Sequence, residues 1–303
     1  SIAGAAPIIG PVSAAVFGWV PVLLWLVLGG IFFGAMHDFA ALFVSVRNDG
    51  RSIGEVIKKH VGSRGSILFL LFTWFTLALV IAAFAIIVAK TFATVPAAAS
   101  SSLMFIALAV VFGLALNRFK MPLGQASIVG VALLLAMVWL GQVFPVSISE
   151  PVWIYILLVY IYIASVAPVW ILLQPRDYLS SFLLYGSVAG GFWGILFGGF
   201  SVAYPAFNGW SSPQLGGLFP ILFITVACGA CSGFHALVAS GTTAKQLDNE
   251  RDARPVGYAA MLLEGVLGII AMVSVAYHSR EQIIASGGGS DAATLFARGL
   301  ATF

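Results

Sequence analysis

Charged residues are scarce in this 303-residue chain: Asp, Glu, Lys and Arg together make up 8% of it, whereas 61% is hydrophobic. Soluble domains carry roughly 25% charged residues, because water has to solvate their surfaces. A soluble fold of this length would lack the ionisable side chains needed to cover it. A lipid bilayer requires no such covering, so the composition predicts an integral membrane protein.

Cysteine is scarce too, and the net charge is only +3. Cys228 and Cys231 are too few for a disulfide framework, and they lie in an apolar run, which predicts a buried pair of thiols. Their spacing resembles that of metal and redox motifs, but no second pair of ligands accompanies them. We therefore predict no metal site and no cofactor. The small net charge, carried by loops, argues against a nucleic-acid partner.

Nine apolar segments have about the length of a transmembrane helix, for which roughly 20 residues are needed. They are residues 2–17, 19–46, 66–92, 101–116, 124–144, 151–173, 178–204, 218–240 and 256–278. The tail, 291–303, either begins a tenth segment or lies at the membrane interface. The pattern predicts an all-α, polytopic transmembrane helix bundle that forms a single membrane domain over residues 1–303.

Every second connection between these segments is basic. The basic connections are 47–65, 117–122, 174–177 and 241–255, and they hold 11 of the 14 Lys and Arg residues. Cytoplasmic loops of membrane proteins carry an excess of Lys and Arg, so we expect these four loops to be cytoplasmic. Within the first of them, the turn and cap at 49–52 predict a short helix from Glu55 to His60.

Two of the segments contain helix breakers. The first carries Gly4, Pro7, Gly10 and Pro11, and the sixth carries Pro168 in its middle. Proline removes a backbone donor, and in lipid the freed carbonyl needs another partner. A simple kink between packed helices is the alternative. Two inverted five-helix repeats would bring broken first and sixth helices together around a substrate, and we adopt that arrangement as a hypothesis.

Ionisable residues interrupt three apolar segments at a similar depth. Asp38, His235 and Glu264 each lie nine or ten residues from a basic residue of a predicted cytoplasmic loop, or about 15 Å along a helix. Such groups are expensive to bury in a membrane and mark proton and substrate paths. Asp38 and Glu264 are candidate proton-coupled carboxylates, and His235 is a candidate partner of the substrate or the proton. The alternative is a buried network that fixes helix packing; His37 could instead point into a loop crevice.

Small polar residues fill the end of the eighth segment, where residues 228–243 read CGACSGFHALVASGTT. Hydroxyl groups can coordinate an ion or bind a carboxylate, and small residues also let helices approach closely. The candidate binding residues here are Ser232, Ser240, Thr242 and Thr243.

Several ordered blocks extend these motifs along nearly the whole chain. They are IAGAAPIIGP at 2–11, HDF at 37–39, NDGRSIG at 48–54, PVWILLQPRDYLS at 168–180, FPILFIT at 219–225, SGFHAL at 232–237, SGTT at 240–243, GY at 257–258 and MLLE at 261–264. Together they resemble the carbon starvation protein A family of bacterial inner-membrane transporters. Through this resemblance Gln174, Arg176 and Asp177 join the candidate site.

The resemblance implies peptide uptake during carbon limitation or, as in some relatives, proton-coupled uptake of pyruvate. The family is similar to the amino acid–polyamine–organocation superfamily, which implies inverted repeats. Family members begin with further helices and continue past the position of Phe303. The resemblance therefore implies that this chain is an internal portion of a longer pattern.

These observations together predict a proton-coupled secondary transporter of the inner membrane for a small-molecule substrate. The substrate would lie between the first and sixth segments, with the eighth lining the pocket. A membrane-embedded sensor or structural subunit, which binds a ligand without moving it, is the alternative. We predict no enzymatic activity, because H-E-x-x-H does not occur and no nucleophile–base pair stands at a recognisable spacing.

Overall fold

The computed structural model describes residues 6–199, 201–213, 215–276 and 292–302, and this part of the chain is mainly helical. The helices are α1 (Ala6–Ala14), α2 (Trp19–Val46), α3 (Ile53–His60), α4 (Ser63–Thr94), α5 (Pro96–Asn117), α6 (Leu123–Val143), α7 (Glu150–Val166), α8 (Leu173–Phe197), α9 (Leu218–Thr225), α10 (Ala227–Ala230), α11 (Gly233–Ala239), α12 (Glu250–Ala276) and α13 (Ala292–Thr302). Strands β1 (Ser211–Ser212) and β2 (Gly216–Gly217) form a short antiparallel pair.

Six of the described helices are long and apolar enough to cross a membrane: α2, α4, α5, α6, α8 and α12. Two predicted spans correspond to shorter apolar helices, at Ala6–Phe17 and Glu150–Val166. The predicted span 218–240 is wrong as one helix, because α9, α10 and α11 divide it. Hydropathy registers the apolar side chains of such a segment but not the interruptions in its backbone.

The outer faces of the long helices are apolar. On α4, only 6% of the most apolar window is buried, and Leu68, Phe72, Trp74 and Leu79 are each at least 65% exposed. A helix that has apolar side chains on all sides, most of them not covered by the rest of the protein, is suited to hydrocarbon rather than water. The surface therefore agrees with the membrane assignment made from composition.

The described residues form two compact units. The first comprises the described residues within 1–71 and 187–303, and the second comprises residues 72–186, so α4 and α8 contribute to both. In the first unit, Phe17, Leu26, Leu222 and Met272 pack together in a core shared by α2, α9 and α12. In the second, Phe112, Leu134 and Leu179 form the equivalent core of α5, α6 and α8.

The first segment is interrupted, but later than predicted. Both prolines lie inside helix α1, and the helix gives way to a 3-10 turn at Ala15–Phe17, followed by Gly18 with φ of 105°. Pro7 sits in the first turn, where its missing N–H is not needed, and Pro11 removes one hydrogen bond without breaking the helix. Gly4 lies outside the described residues.

The sixth segment ends at its proline. Helix α7 stops at Val166, residues 168–172 form a turn, and α8 begins at Leu173. Ala167 before the proline is extended, with ψ of 140°, because the proline ring disfavours helical geometry at the preceding residue. The break predicted at Pro168 is therefore present, and it ends α7 instead of kinking one helix that reaches residue 173.

Candidate functional site

Three ionisable side chains from different helices meet in the first unit. His235 Nδ1 lies 2.7 Å from Asp38 Oδ2, and His235 Nε2 lies 2.9 Å from Glu264 Oε2. His235 comes from α11, Asp38 from α2 and Glu264 from α12. The spacing of these residues from the basic loops had placed them at one depth, and the structure brings all three into contact.

This cluster is almost completely enclosed. The side chains of Asp38, His235 and Glu264 are 6%, 13% and 1% exposed. Burying a carboxylate without a partner costs several kcal/mol, and the imidazole supplies a partner to both carboxylates. The contact with Asp38 is a hydrogen bond, whereas the contact with Glu264 is within ion-pair distance without hydrogen-bond geometry and becomes an ion pair when the imidazole is protonated.

The remaining oxygen of each carboxylate also has a neighbour. His37 Nδ1 lies 3.2 Å from Asp38 Oδ1, and the Cys228 thiol donates to Glu264 Oε1 at 3.6 Å. The Cys228 sulfur in turn lies 3.5 Å from the hydroxyl of Ser232, which is buried. Both cysteines are free and only partly buried, rather than fully buried as predicted.

His235 owes its position to the interruptions in the eighth segment. Helix α10 ends at Ala230, Cys231 and Ser232 leave helical geometry, and α11 then begins at Gly233. The His235 N–H donates to the Ser232 carbonyl in the first turn of α11. These breaks were not predicted from the sequence, although the run of small polar residues at 228–233 was the available signal.

Stretches of π-helix lie just before both carboxylates. In α2 the π-helical turns span Trp25–Gly34, ahead of Asp38, and in α12 they span Arg254–Ala259, ahead of Glu264. Such turns are often found at functional sites, because an extra residue per turn rotates the side chains that follow. Sequence periodicity gave no sign of them.

A cavity of about 290 Å³ adjoins the cluster. It lies between α2, the chain from α11 to the turn at 243–246, and α12. Its lining residues are Asp38, Leu42, His235, Val238, Ala239, Thr243, Val256, Gly257, Ala260 and Met261. Apolar walls with a few polar groups are typical of small-molecule sites, and this volume is near their lower limit of roughly 300 Å³. Glu264 contacts Nε2 of His235 but is not among the residues that line the cavity.

The other predicted residues of the first unit have different places. Thr243 lines the cavity, whereas Thr242 is exposed and Ser240 is buried where the loops meet. Residues of α1 do not line this cavity. Gly10 instead allows α1 to lie directly against the Thr225 carbonyl at the end of α9, since a side chain there would collide with it.

Two serines join the loops below the cavity. The Ser45 hydroxyl donates to the Arg51 carbonyl at 2.7 Å and accepts from the Gly241 N–H at 3.1 Å. Ser240 accepts from the Ile53 N–H at 3.3 Å. We call these contacts the loop clasp. Through Ile53 the loop clasp also holds the predicted short helix, which is confirmed at Ile53–His60. The loop clasp fixes the end of α2 to the end of α11.

Residues from the sixth segment and from the connection after it lie in the second unit. Arg176 donates to the Tyr160 hydroxyl at 3.1 Å and to Asp177 Oδ1 at 3.2 Å. Pro168 and Gln174 belong to the same unit, in the turn and the start of α8. A substrate path between the first and sixth segments stays a prediction. Among the described residues, no group of His, Cys, Asp and Glu side chains is arranged to hold a metal ion.

Comparison with known proteins identifies relatives over almost all of the chain. The sequence model of the family described as carbon starvation protein CstA matches residues 1–294. The peptide transporter CstA of Campylobacter jejuni is 39% identical over 288 residues, which cover 90% of this chain and 41% of that protein. The pyruvate/proton symporter BtsT of Escherichia coli is 38% identical over 291 residues, which cover 90% and 40%. No solved structure gives a significant match.

The chain spans about two fifths of the length of these relatives. Both are named as transporters, and with the six long apolar helices they make this chain a multi-pass membrane protein. The family match covers far more than half of its residues. The chain therefore belongs to the carbon starvation protein CstA family.

Proposed function

We propose that this protein is a secondary active transporter that imports peptides, or a small carboxylate such as pyruvate, across the bacterial inner membrane. Protons drive it, and it serves the cell during carbon starvation. The observation that carries this proposal is the cluster of Asp38, His235 and Glu264 at the wall of a cavity. The names of the relatives, a peptide transporter and a pyruvate/proton symporter, support the same class of function.

The cluster has the properties that proton coupling requires. Ionisable residues within membrane segments are rare and mark ion and proton paths, since burial is costly unless function retains them. Asp38 and His235 both line the cavity, so a bound substrate and a proton would share one site. In this proposal Asp38 exchanges the proton, while His235 and Thr243 contact the substrate.

The orientation of the site is also part of the proposal. Leu42 and Thr243 extend the cavity from Asp38 toward the loops 47–65 and 241–255, which the excess of Lys and Arg predicts to be cytoplasmic. The described cavity would then face the cytoplasm. The inverted repeat and a substrate path between the first and sixth segments remain hypotheses beside it.

Uptake into proteoliposomes tests the function. We expect labelled pyruvate or alanyl-alanine to accumulate against its gradient when the outside is acidified, and a proton ionophore to abolish accumulation. Competition between the two compounds identifies the preferred substrate. Binding without accumulation or counterflow would instead support a sensor or structural subunit, and product formation in detergent would support an enzyme.

A further inference from the structure

Both ring nitrogens of His235 are occupied by carboxylates from two other helices. Nδ1 faces Asp38 on α2, and Nε2 faces Glu264 on α12. Imidazole can accept a proton at one nitrogen and release another from the opposite nitrogen. The two contacts tie three helices together, and they also place a carboxylate that can give up a proton and one that can take it up on opposite sides of the ring.

The two carboxylates differ in their access to the cavity. Asp38 is part of the lining, whereas Glu264 is 1% exposed and lies outside it. His235 therefore separates a carboxylate that a proton can reach from one that it cannot reach directly. We propose that His235 is a proton relay that carries a proton from Asp38 to Glu264 and back. This inference rests on the proton-coupled transport proposed above.

The relay conserves atoms and charge at each step. Protonated Asp38 transfers its proton from Oδ2 to Nδ1 of a neutral His235 whose hydrogen is on Nε2. The charge of the imidazolium draws Nε2–H into line with Glu264 Oε2, 2.9 Å away, and the Nε2 proton then passes to that oxygen. The step leaves Asp38 as a carboxylate, Glu264 as an acid and His235 neutral with its hydrogen on Nδ1. Return of the proton along the same route restores the starting tautomer.

The surroundings assign one oxygen of each carboxylate to the relay. Glu264 Oε1 accepts from the Cys228 thiol, and Asp38 Oδ1 contacts His37, which leaves Oε2 and Oδ2 to face the imidazole. The titratable groups in contact with His235 are Asp38 on α2 and Glu264 on α12; behind them, His37 contacts Asp38 and Cys228 contacts Glu264. No lysine or arginine is among the residues that line the described cavity.

Two measurements on reconstituted protein distinguish a role of His235 in proton transfer from a role in substrate binding. Exchange of labelled pyruvate or alanyl-alanine across the membrane needs substrate binding but no net proton movement, whereas accumulation under a pH gradient needs both. We expect His235→Gln, whose amide forms hydrogen bonds but takes no proton, to lower accumulation at least about tenfold more than it lowers exchange. His60→Gln, on the exposed helix α3, is the matched control and should leave the ratio unchanged.

If His235→Gln lowers exchange and accumulation equally, Glu264→Gln decides whether the relay exists. The relay requires the same selective loss of accumulation in Glu264→Gln, because this residue receives the proton outside the cavity. Undiminished gradient-driven accumulation in either variant overturns the relay and leaves the proposed transport intact. Equal loss of both activities in both variants also overturns it, since the cluster would then serve packing or binding. Wild-type protein that never accumulates substrate refutes the transport proposal itself.

Discussion

Asp38 and His235 are 197 residues apart in the chain, yet Oδ2 of the first and Nδ1 of the second are 2.7 Å apart. This contact joins α2 to the interrupted eighth segment at the wall of the cavity. It pairs two groups that each would be costly to bury alone. The pairing allows the segments to hold ionisable side chains at a depth where hydrocarbon otherwise excludes them.

Replacing Asp38 by Asn should abolish pH-driven uptake and leave the protein folded. Asparagine has nearly the same shape and can still hydrogen-bond His235, but it cannot take up a proton. We expect accumulation under a pH gradient to fall by about 100-fold, the lower end of what a positioned acid or base contributes. The measurement is uptake as a function of external pH, with gel filtration to check folding.

Glu55→Gln is the control for this change, because Glu55 is an exposed carboxylate on α3 away from the cluster. It should have uptake and pH dependence like those of the wild type. Undiminished uptake with a normal pH dependence in Asp38→Asn would remove Asp38 from the coupling mechanism.

The sequence was sufficient to single out the three residues of the cluster, because their similar depth follows from helix geometry and the position of the basic loops, although their mutual contacts come only from the structure. Asp38, His235 and Glu264 each stand about the same number of residues from such a loop, and burial of three such groups at one depth is unfavourable by chance. The short helix after Asp49 was equally predictable, since turn and capping residues act locally.

Backbone interruptions were harder to predict. The prolines of α1 predicted a break within residues 4–11. However, Pro7 is tolerated in a first turn, and the described helix continues to Ala14. The eighth segment breaks at Val226 and at Cys231 without any proline at those positions. Its interruptions and the π-helical turns depend on contacts between distant segments, which a single sequence does not contain.

Ser45→Ala should destabilise the protein measurably. Ser45 is fully buried, and its hydroxyl serves both the Arg51 carbonyl and the Gly241 N–H. Removing it leaves two partly buried backbone groups without this partner, at a cost of about 1–3 kcal/mol. The measurement is the free energy of unfolding in detergent, or the shift in the unfolding midpoint.

Ser165→Ala provides the comparison, because the Ser165 hydroxyl bonds only the Tyr162 carbonyl of its own helix and is exposed. Its effect should stay within about 0.5 kcal/mol. Equal stability of the two variants would mean that the loop clasp does not hold the ends of α2 and α11 together.

Gly257→Ala should reduce uptake because α12 lies directly on the backbone of α2 at this position. A Cβ atom at 257 would lie 2.8 Å from Phe39 Cα and 3.1 Å from Phe39 N. Backbone atoms cannot rotate away, so the helices must separate beside Asp38. A displacement of that kind at a functional site can cost up to about 100-fold, and we expect at least a tenfold loss.

Gly233→Ala tests whether any added methyl group near the site has the same effect. A Cβ atom on Gly233 would meet no atom within 4 Å, although this residue begins the helix that carries His235. Uptake should stay near that of the wild type. If Gly257→Ala retained full uptake, close contact between α12 and α2 would be unnecessary for function.

Cysteine labelling should reveal the orientation of the chain in the membrane. Lys58 lies in the first basic loop and Trp210 in a connection that contains no Lys or Arg, and both are exposed. Because basic loops stay in the cytoplasm, a membrane-impermeant maleimide should label Trp210→Cys in intact spheroplasts and Lys58→Cys only after permeabilisation. Cys228 and Cys231 are first replaced by serine, and uptake by that background confirms that it still functions. Labelling of Lys58→Cys in intact spheroplasts would reverse the orientation, and the cavity beside Asp38 would then face the outside.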